Sequence, residues 1–396
     1  MASRKPAILI IVENLPVPLD RRVWQESLAL RDAGYEVVVI CPKMRGWNRA
    51  YEERDGIHIY RHWISGEAAG LIGFVCEYAS ALLGELMLSL QVLRRHRVEI
   101  VHVCNPPDLL FLVALPLKLL AGVRVIYDVH DVWPEMFEAK FGRRGLFYWA
   151  VRLAEWCTYR TADVVLATNE SVKATAVGRG GVEERNVYVV RTAPKIGSTE
   201  VPENSALRQG RRYLVGYVGV MGNADGVHLL LEAAHHLVKT RAREDVRFLL
   251  MGTGPEYDSL VRQRDQLGLA EFVEMPGRVS DEFLFGGLRT MDLGVSSDPI
   301  NGYNNHCTMN KVLEYMAFGK AQVMFDLKEG RASAGDAAVY VARNCPIELG
   351  DAIADLLDQP ALRQEMGECG ERRLREALNW ERSVVQLRKA YRAAAG

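Results

Sequence analysis

No two cysteines in this chain are spaced as a metal clamp. The seven Cys of the 396 residues stand singly at 41, 76, 104, 157, 307, 345 and 369, without a Cys-x-x-Cys. That excludes a zinc knuckle and a disulfide frame and fits reduced thiols. No two aspartates stand two apart either, so a carboxylate clamp for a divalent cation is missing, and neither a metal nor a cofactor is expected. Charge of one sign is also lacking: 49 Lys and Arg face 50 Asp and Glu, a formal −1, which speaks against a nucleic-acid partner. No apolar run has the length to span a bilayer; Leu109 to Ala121 is interrupted by Lys118, and Leu71 to Leu93 by Glu77 and Glu85. Lys5 leads straight into ILIIV, with no secretory pattern. The expectation is a cytoplasmic protein, with peripheral contact at the inner face of a membrane through the apolar N-terminal half left open.

What is present is an ordinary globular composition, 49% apolar and 25% charged, in a chain long enough for two domains. Strand-like and helix-like stretches alternate from Ala7 to Val190, with short strands that are nearly all apolar. Such alternation predicts a parallel sheet covered on both faces. Around Ala193 to Arg211 the sequence becomes polar and rich in Pro, Gly and Ser, as a linker is, and the alternation then restarts. The fold class read from this is α/β, two Rossmann-like domains whose parallel sheets face a cleft. The divisions are 1–195 for a first Rossmann-like domain, 196–370 for a second, and 371–396 for a helical tail able to cross back to the first.

The stretch Ser296 to Lys320 carries the strongest pattern. Met309, Val312, Leu313, Met316 and Ala317 recur at helical spacing, so one side packs inward. Asn310, Lys311 and Glu314 fall on the other side; Thr308 is the expected N-cap and Gly319 the residue that ends the helix. A helix N-terminus behind a polar loop offers amides to a phosphate, Lys311 adds a positive charge, and Glu314 can accept both hydroxyls of a ribose. The plain alternative is an amphipathic helix with a solvated Lys311–Glu314 pair.

Three glycine turns follow strands of the second half: Gly219 to Gly226, Gly252-Thr253-Gly254, and Pro276-Gly277-Arg278-Val279. Strand, glycine turn and helix is an arrangement that approaches phosphate, although a GxGxxG and a P-loop lysine are both missing. The matching rim of the first half holds Glu13 and Asn14, Asn105, and the cluster Asp128, His130, Asp131, Trp133 and Glu135. A dense polar and aromatic turn after a buried strand is an acceptor-side or catalytic candidate; a capping Asp131 and a His130 bonded to a carbonyl are the alternative.

These motifs together resemble the retaining glycosyltransferases of family 4, which have the two-domain GT-B fold. The likeness rests on NLPVPLDRRVWQESLALRDAGYEVVVICP, YDVHDVWPE, ATNE, YVGVMG, GTGPE, PGRVSD, TMNKVLEYMAFGK and SAGDAA, and covers nearly the whole chain. It implies that Glu314 holds the donor ribose and that Thr308, Met309 and Asn310 face the diphosphate beside Lys311. It also implies that Arg278 and Val279 flank the base, that Gly219, Met221 and Gly222 approach the sugar phosphate or the acceptor, and that His130 contacts the transferred sugar. Two departures stand out. Many members carry a carboxylate eight residues before the equivalent of Glu314, where this chain has His306, and the Arg/Lys pair many of them use on the diphosphate is missing after YVGVMG.

The reading that follows is a metal-independent glycosyltransferase. It moves a sugar from a nucleotide diphosphate donor, UDP- or GDP-linked, to an acceptor with retention. The leaving phosphate takes the acceptor's proton, and helix amides, Lys311 and Arg278 or Arg331 meet its charge. The acceptor is either a saccharide or lipid-linked glycan, or a small molecule of a specialised, antibiotic-type pathway, with a sulfur nucleophile among the options. A sugar-nucleotide epimerase of the same fold and a non-catalytic sugar-nucleotide-binding partner are the alternatives.

Overall fold

The computed structural model describes residues 6–44, 46–64, 70–142, 144–194 and 201–396, with the backbone alone over 70–77. The chain forms two compact units, Met1–Thr192 with Glu381–Gly396, and Ala193–Trp380.

The first unit runs β1 (Ala7–Val12), α1 (Arg21–Asp32), β2 (Glu36–Pro42), β3 (Tyr51–Arg54), β4 (Ile57–His62), α2 (Gly70–Arg95) and β5 (Val98–Cys104). It continues through α3 (Phe111–Ala121), β6 (Arg124–Val129), α4 (Trp133–Phe141), α5 (Leu146–Thr161), β7 (Val164–Ala167), α6 (Glu170–Gly178) and β8 (Val187–Val189). Its eight strands lie in the order β3-β4-β2-β1-β5-β6-β7-β8. All neighbours are parallel except β3 and β4. β1 is buried throughout and β5 from Ile100 onward because helices cover both faces; β1 is accordingly a continuous apolar run, while β5 carries His102 among its apolar residues. The edge hairpin of β3 is a correction to the sequence reading. Tyr51-Glu52-Glu53-Arg54 is short and charged, as exposed edges are, and gives no alternating signal.

The second unit runs β9 (Tyr213–Val218), α7 (Val227–His235), β10 (Val246–Met251), α8 (Tyr257–Gln266), β11 (Val273–Gly277), α9 (Asp281–Thr290) and β12 (Leu293–Ser296). Then come α10 (Asn310–Ala317), β13 (Ala321–Phe325), α11 (Lys328–Ala334), β14 (Ala338–Val341), α12 (Pro346–Leu357) and α13 (Pro360–Ala377). Its six strands are all parallel, in the order β11-β10-β9-β12-β13-β14. One core layer packs α7 and α12 on one face of the sheet, and another packs α9 and α10 on the other. The strand order reverses between β9 and β12, the switch point where open α/β sheets bind ligands beyond their carboxyl ends.

The expected linker falls partly on 195–200, outside the described residues. The single helix expected over Glu371 to Ala394 is instead α13 followed by α14 (Trp380–Ala395), broken at Leu378 and Asn379. The Asn379 side chain donates to the Arg375 carbonyl (2.6 Å), closing α13, and the chain enters the first unit at Glu381. Ser280 caps α9, accepting from the Phe283 amide.

The glycine turns of the second unit lie side by side and are joined through the main chain. The Gly219 amide donates to Met251 O (3.1 Å), the Met221 amide to Thr253 O (3.1 Å) and the Gly252 amide to Gly277 O (3.0 Å). Gly252 sits at φ +150°, and a Cβ there would lie 1.8 Å from the Gly219 carbonyl oxygen. Gly252→Ala is therefore expected to cost at least about 3 kcal/mol, since it combines strain with an unrelieved backbone clash. Gly268→Ala has φ +65° and only a lysine methylene near its Cβ, so it should cost about 1 kcal/mol. Urea unfolding of the two variants measures the difference; equal costs would mean that the turns do not pack as described.

Candidate active site

The candidate site of the second unit is built where β9 and β12 end. Gly219 follows β9, and Ser297 and Asp298 follow β12. α10 returns over them, its Val312, Leu313, Tyr315, Met316 and Ala317 buried in the core, with Met309 packed against it. Gly319 takes φ +61° and its amide bonds Met316 O, so the helix ends there as expected.

The start of α10 differs from the expectation. Its N-cap is Met309 with no side-chain cap bond, so Thr308 is not the cap; the chain is still extended at Met309 and turns helical at Asn310. First-turn amides of a helix have no partner inside it, so this end remains a cradle for an anion. Asn310 is exposed and Glu314 half-buried one turn further in.

Lys311 is the main correction. It is not on the solvent side: only 6% of it is exposed. Its ammonium donates to both oxygens of Asp298 (2.8 and 3.0 Å) and to the Tyr217 hydroxyl (3.3 Å), with Asp225 at 3.7 Å. Burial opposes its charge, but Asp298, Tyr217 and Asp225 outweigh it, so its pKa rises and it stays protonated. Two carboxylates around one ammonium leave it no charge to offer a diphosphate. Its stem runs under Gly219, where a Cβ would meet Lys311 Cε at 3.2 Å. Lys311 is a positioning residue that ties α10 to the ends of β9 and β12.

Two further candidates are corrected by their partners. Met221 is fully buried, its amide bonded to Thr253 O and its carbonyl to the Glu256 amide, so it has no polar group left for a ligand. The Gly222 amide is taken by Asp225 (3.0 Å). Arg278 is exposed just beyond β11, and Val279 packs against the core. Arg331 is exposed and paired with Asp326 (2.9 and 2.7 Å). In the loop before α10, Asn304 donates to Ala224 O and Pro299 O, Asn305 accepts from the Lys328 amide, and His306 Nδ1 lies 2.7 Å from Gly302 O. These bonds brace the loop, and His306 does not replace the missing carboxylate.

In the first unit the candidates cluster at the ends of β1, β5 and β6. Asp128 is fully buried and gripped by Arg22 through two bonds, Nε to Oδ2 (2.9 Å) and Nη2 to Oδ1 (2.6 Å). His130 Nε2 lies 2.7 Å from Asp128 Oδ2, and His102 Nε2 3.6 Å from the same oxygen. His102 Nδ1 in turn meets the Tyr391 hydroxyl of α14 at 2.6 Å. Burial works against charge on both Asp128 and His130. The Arg22 and His130 cations still hold the Asp128 carboxyl well below its usual range, and Asp128 raises the imidazole's pKa. Burial pushes the neighbouring Glu26 up to about 7, against the pull of Arg22. His130 is thus an oriented imidazole with one nitrogen committed to Asp128.

Asn105 is corrected from an acceptor contact to a brace. Its Nδ2 donates to Asp108 and to Asp131 O, and its Oδ1 accepts from the His130 amide (2.7 Å) and the Asp131 amide (3.3 Å). Asp131 does not cap α4, whose N-cap is Val132; Trp133 opens that helix, half-buried. Glu13 is buried and Asn14 half-buried at the end of β1. Sequence reasoning missed Arg22, Glu26, His102 and Tyr391 here, and Tyr217, Asp225 and Asp298 in the second unit. His102 and Tyr391 lie 289 residues apart, whereas Arg22 and Glu26, four apart on α1, carried a local signal as an ion pair.

Among the described residues, two groups of His, Cys and carboxylate ligand atoms come close enough to share a cation: Glu36, His58 and His96, and His102, Cys104 and Asp128. Both belong to the first unit, and neither includes a residue of the α10 site.

Two stability predictions follow. Lys311→Ala leaves Asp298 buried without its cation and should cost roughly 3–5 kcal/mol, while Lys311→Met with Asp298→Asn should cost less than the sum of the two single changes. Denaturant titration of wild type, Lys311→Met, Asp298→Asn and the double variant, with Lys311→Ala alongside, checks it; additive losses would mean that the pair is not coupled. Burial also pushes Asp108 up to about 7, against the hydrogen bonds from Tyr127 and Asn105. A raised carboxyl favours the fold below its unfolded pKa and loses that contribution as pH climbs through the folded value. Asp108→Asn should therefore gain roughly 2–3 kcal/mol relative to wild type between about pH 5 and about pH 8. Urea midpoints across that range read it; a constant offset would show that Asp108 does not titrate there.

Residues 19–192 match a family model described as "Glycosyl transferase 4-like domain", and residues 212–359 one described as "Glycosyl transferases group 1". The chain is 30% identical over 159 residues to an alpha-D-kanosaminyltransferase of Streptomyces kanamyceticus, 40% of this chain and 39% of that protein. The chain spans 39% and 59% of the curated relatives it matches. Among solved structures it shares its fold with sucrose-phosphate synthase from Thermosynechococcus elongatus, with a TM-score of 0.80, 16% identity and 98% of each chain covered. It also shares it with Anabaena HepE in complex with UDP-glucose, with a TM-score of 0.73, 15% identity, and 98% of this chain and 99% of that one covered.

Proposed function

The chain belongs to the family 4 type of glycosyltransferase with the GT-B fold, and from that premise we propose that it transfers a sugar from a nucleotide diphosphate donor to an acceptor with retention, without a metal ion. The observation that carries this reading is the meeting of the Gly219 turn, the Asp298 loop and the first turn of α10 at the switch point of the second sheet. That meeting directs unpaired amides beyond the carboxyl ends of β9 and β12, where a diphosphate would be received.

Each group has a role in this scheme. The first-turn amides at Asn310 and Lys311 receive the diphosphate, and Glu314 takes the ribose diol. Exposed Arg278, with Val279 beside it, meets the base end or the phosphate charge that Lys311 does not meet. In the first unit His130, held by Asp128, hydrogen-bonds a hydroxyl of the reacting sugar. Preorganised dipoles aimed at a leaving group stabilise charge as it develops and need no reorganisation during the step. The bond from the anomeric carbon to the diphosphate breaks and the bond to the acceptor forms on the same face. The acceptor's proton passes to the departing phosphate oxygen, so no separate base is required.

The UDP-glucose held by the HepE neighbour supports a UDP-sugar as the first donor to test, and the kanosaminyl group named in the Streptomyces relative supports an amino-sugar donor. A small-molecule acceptor of a specialised pathway and a glycan acceptor both fit this scheme, including one with a sulfur nucleophile.

The test is a thermal shift with UDP-, GDP- and dTDP-sugars. The matching donor should raise Tm in proportion to ln(1 + [L]/Kd), with the shift retained in EDTA. Glu314→Ala should raise the donor KM about tenfold or more with a smaller change in kcat, and His130→Ala should lower kcat about a hundredfold. No shift with any donor, loss of activity in EDTA, or unchanged kinetics in both variants would overturn the assignment. Conversion of the donor to an isomer without an acceptor would point to the epimerase reading instead.

A further inference from the structure

Helices of a water-soluble protein carry their apolar side chains inward and their polar ones outward. Three neighbouring helices of the first unit carry apolar residues on both sides. On α2, Leu83, Met87 and Leu90 recur at i, i+4 and i+7, and all are exposed. On α3, Leu112, Leu115 and Leu119 recur at i, i+3 and i+7 and are exposed too, Leu119 with 74% of its surface open. On α5 the outward stripe is Leu146, Trp149, Leu153 and Trp156, each half open or more. The inward sides of these helices hold their own core residues, Val92, Val113, Leu117, Val151 and Ala154 among them. α3 packs against both α2 and α5, so the outward stripes lie side by side as one face. Ten large side chains at that exposure make a patch on the order of 1,000 Å², above the few hundred typical of a monomer's largest patch.

The charges on this face are of one sign. Among the described side chains of α2, α3 and α5 the only acidic residues are Glu85 and Glu155, and both are buried. The exposed charges are Arg94 and Arg95 at the end of α2 and Arg160 at the end of α5. Arg94 and Arg95 line a hollow together with Met87, Leu90 and Gln91, and the Arg160 guanidinium lies 5.8 Å from the Trp156 ring. Leucine and tryptophan inside a cationic rim is the composition of surfaces that sit at the headgroup level of a bilayer. No helix among the described residues is long and apolar enough to cross a membrane, so the contact would be to one leaflet. A second copy of this chain fits less well, because the exposed charges among the described side chains of these helices are all cationic and a copy brings no acidic group there to pair with them.

We propose that the outer face of α2, α3 and α5 docks on an anionic lipid surface, with the leucines and tryptophans entering the interface and the arginines meeting lipid phosphates. The inference stands apart from the donor reading, since binding to lipid is measured without any sugar nucleotide. It narrows the acceptor to one presented at that surface.

The experiment is flotation of the full chain with phosphatidylcholine vesicles, with and without phosphatidylglycerol. Wild type should float with the anionic vesicles and weaken as salt is raised, as screening requires. Trp149→Ser with Trp156→Ser should lower the partition coefficient roughly tenfold or more on either lipid, and Arg94→Glu with Arg160→Glu should abolish the preference for phosphatidylglycerol. Circular dichroism and the donor thermal shift of each variant confirm that the fold and the donor site are intact. Failure of the wild type to float at low salt, or equal flotation of the tryptophan variant, would overturn the proposal. So would a dimer in light scattering that the tryptophan substitutions dissolve while no vesicle binding is seen, because the face would then be an interface between copies.

Discussion

The second unit depends on one buried ion pair. Lys311 on α10 and Asp298 beyond β12 meet at 2.8 Å out of water, with Tyr217 from β9 completing the ammonium's shell. An isolated ammonium in that place would be prohibitive, and so would an isolated carboxylate, so each requires the other. The pair sets where α10 begins relative to the sheet. Gly219 packs over the lysine stem, Gly252 bonds on to Gly277, and the Asp225 carboxylate takes the Gly222 amide. The glycines permit this close backbone approach, and their positions follow from it.

The first unit uses the same device at the carboxyl ends of its own strands, one strand beyond the switch between β1 and β5. Arg22 and Asp128 are a buried cation and carboxylate at the carboxyl ends of the strands, and they too hold a functional side chain, His130, by contact with the carboxylate. α14 joins through Tyr391 and His102, so the last helix contributes to the placement of a catalytic candidate in the unit where the chain begins. In both units the strongest charges are neutralised internally. Recognition in the proposed scheme then falls to helix amides, an oriented imidazole and the half-buried carboxylate of Glu314.

This distribution explains what could be read from the sequence. The alternation of apolar strands and helices, the position of α10, its end at Gly319 and the cap at Ser280 all follow from local rules of periodicity and backbone freedom, and local rules can be read in order. Lys311 was misplaced by the same periodicity. A helical wheel puts it beside Glu314 on the polar side, and nothing in the wheel shows that Asp298, thirteen residues earlier, waits inside the fold. Asn105 and Met221 were misread for a related reason: a polar or loop residue next to a site can be committed to bracing it, and only its bonds show which. His102 and Tyr391 have no sequence signal, because their spacing is set by the sheet and by the return of the chain.

The outward apolar stripes of α2, α3 and α5 show the converse case. Periodicity alone marks these segments as buried helices, because both sides are hydrophobic, and a helix apolar all round normally belongs in a core. The structure gives each of them one buried side and one exposed side. Water is a poor neighbour for that second side, and burying it would be favourable by the same hydrophobic term that holds the first. The arginines at the helix ends and the burial of Glu85 and Glu155 then decide the sign of what covers it. A surface that is apolar in the middle and cationic at its border is complementary to one that is apolar in its interior and anionic at its skin. The same side chains that obscure these helices in the sequence thus become informative once their exposure is known.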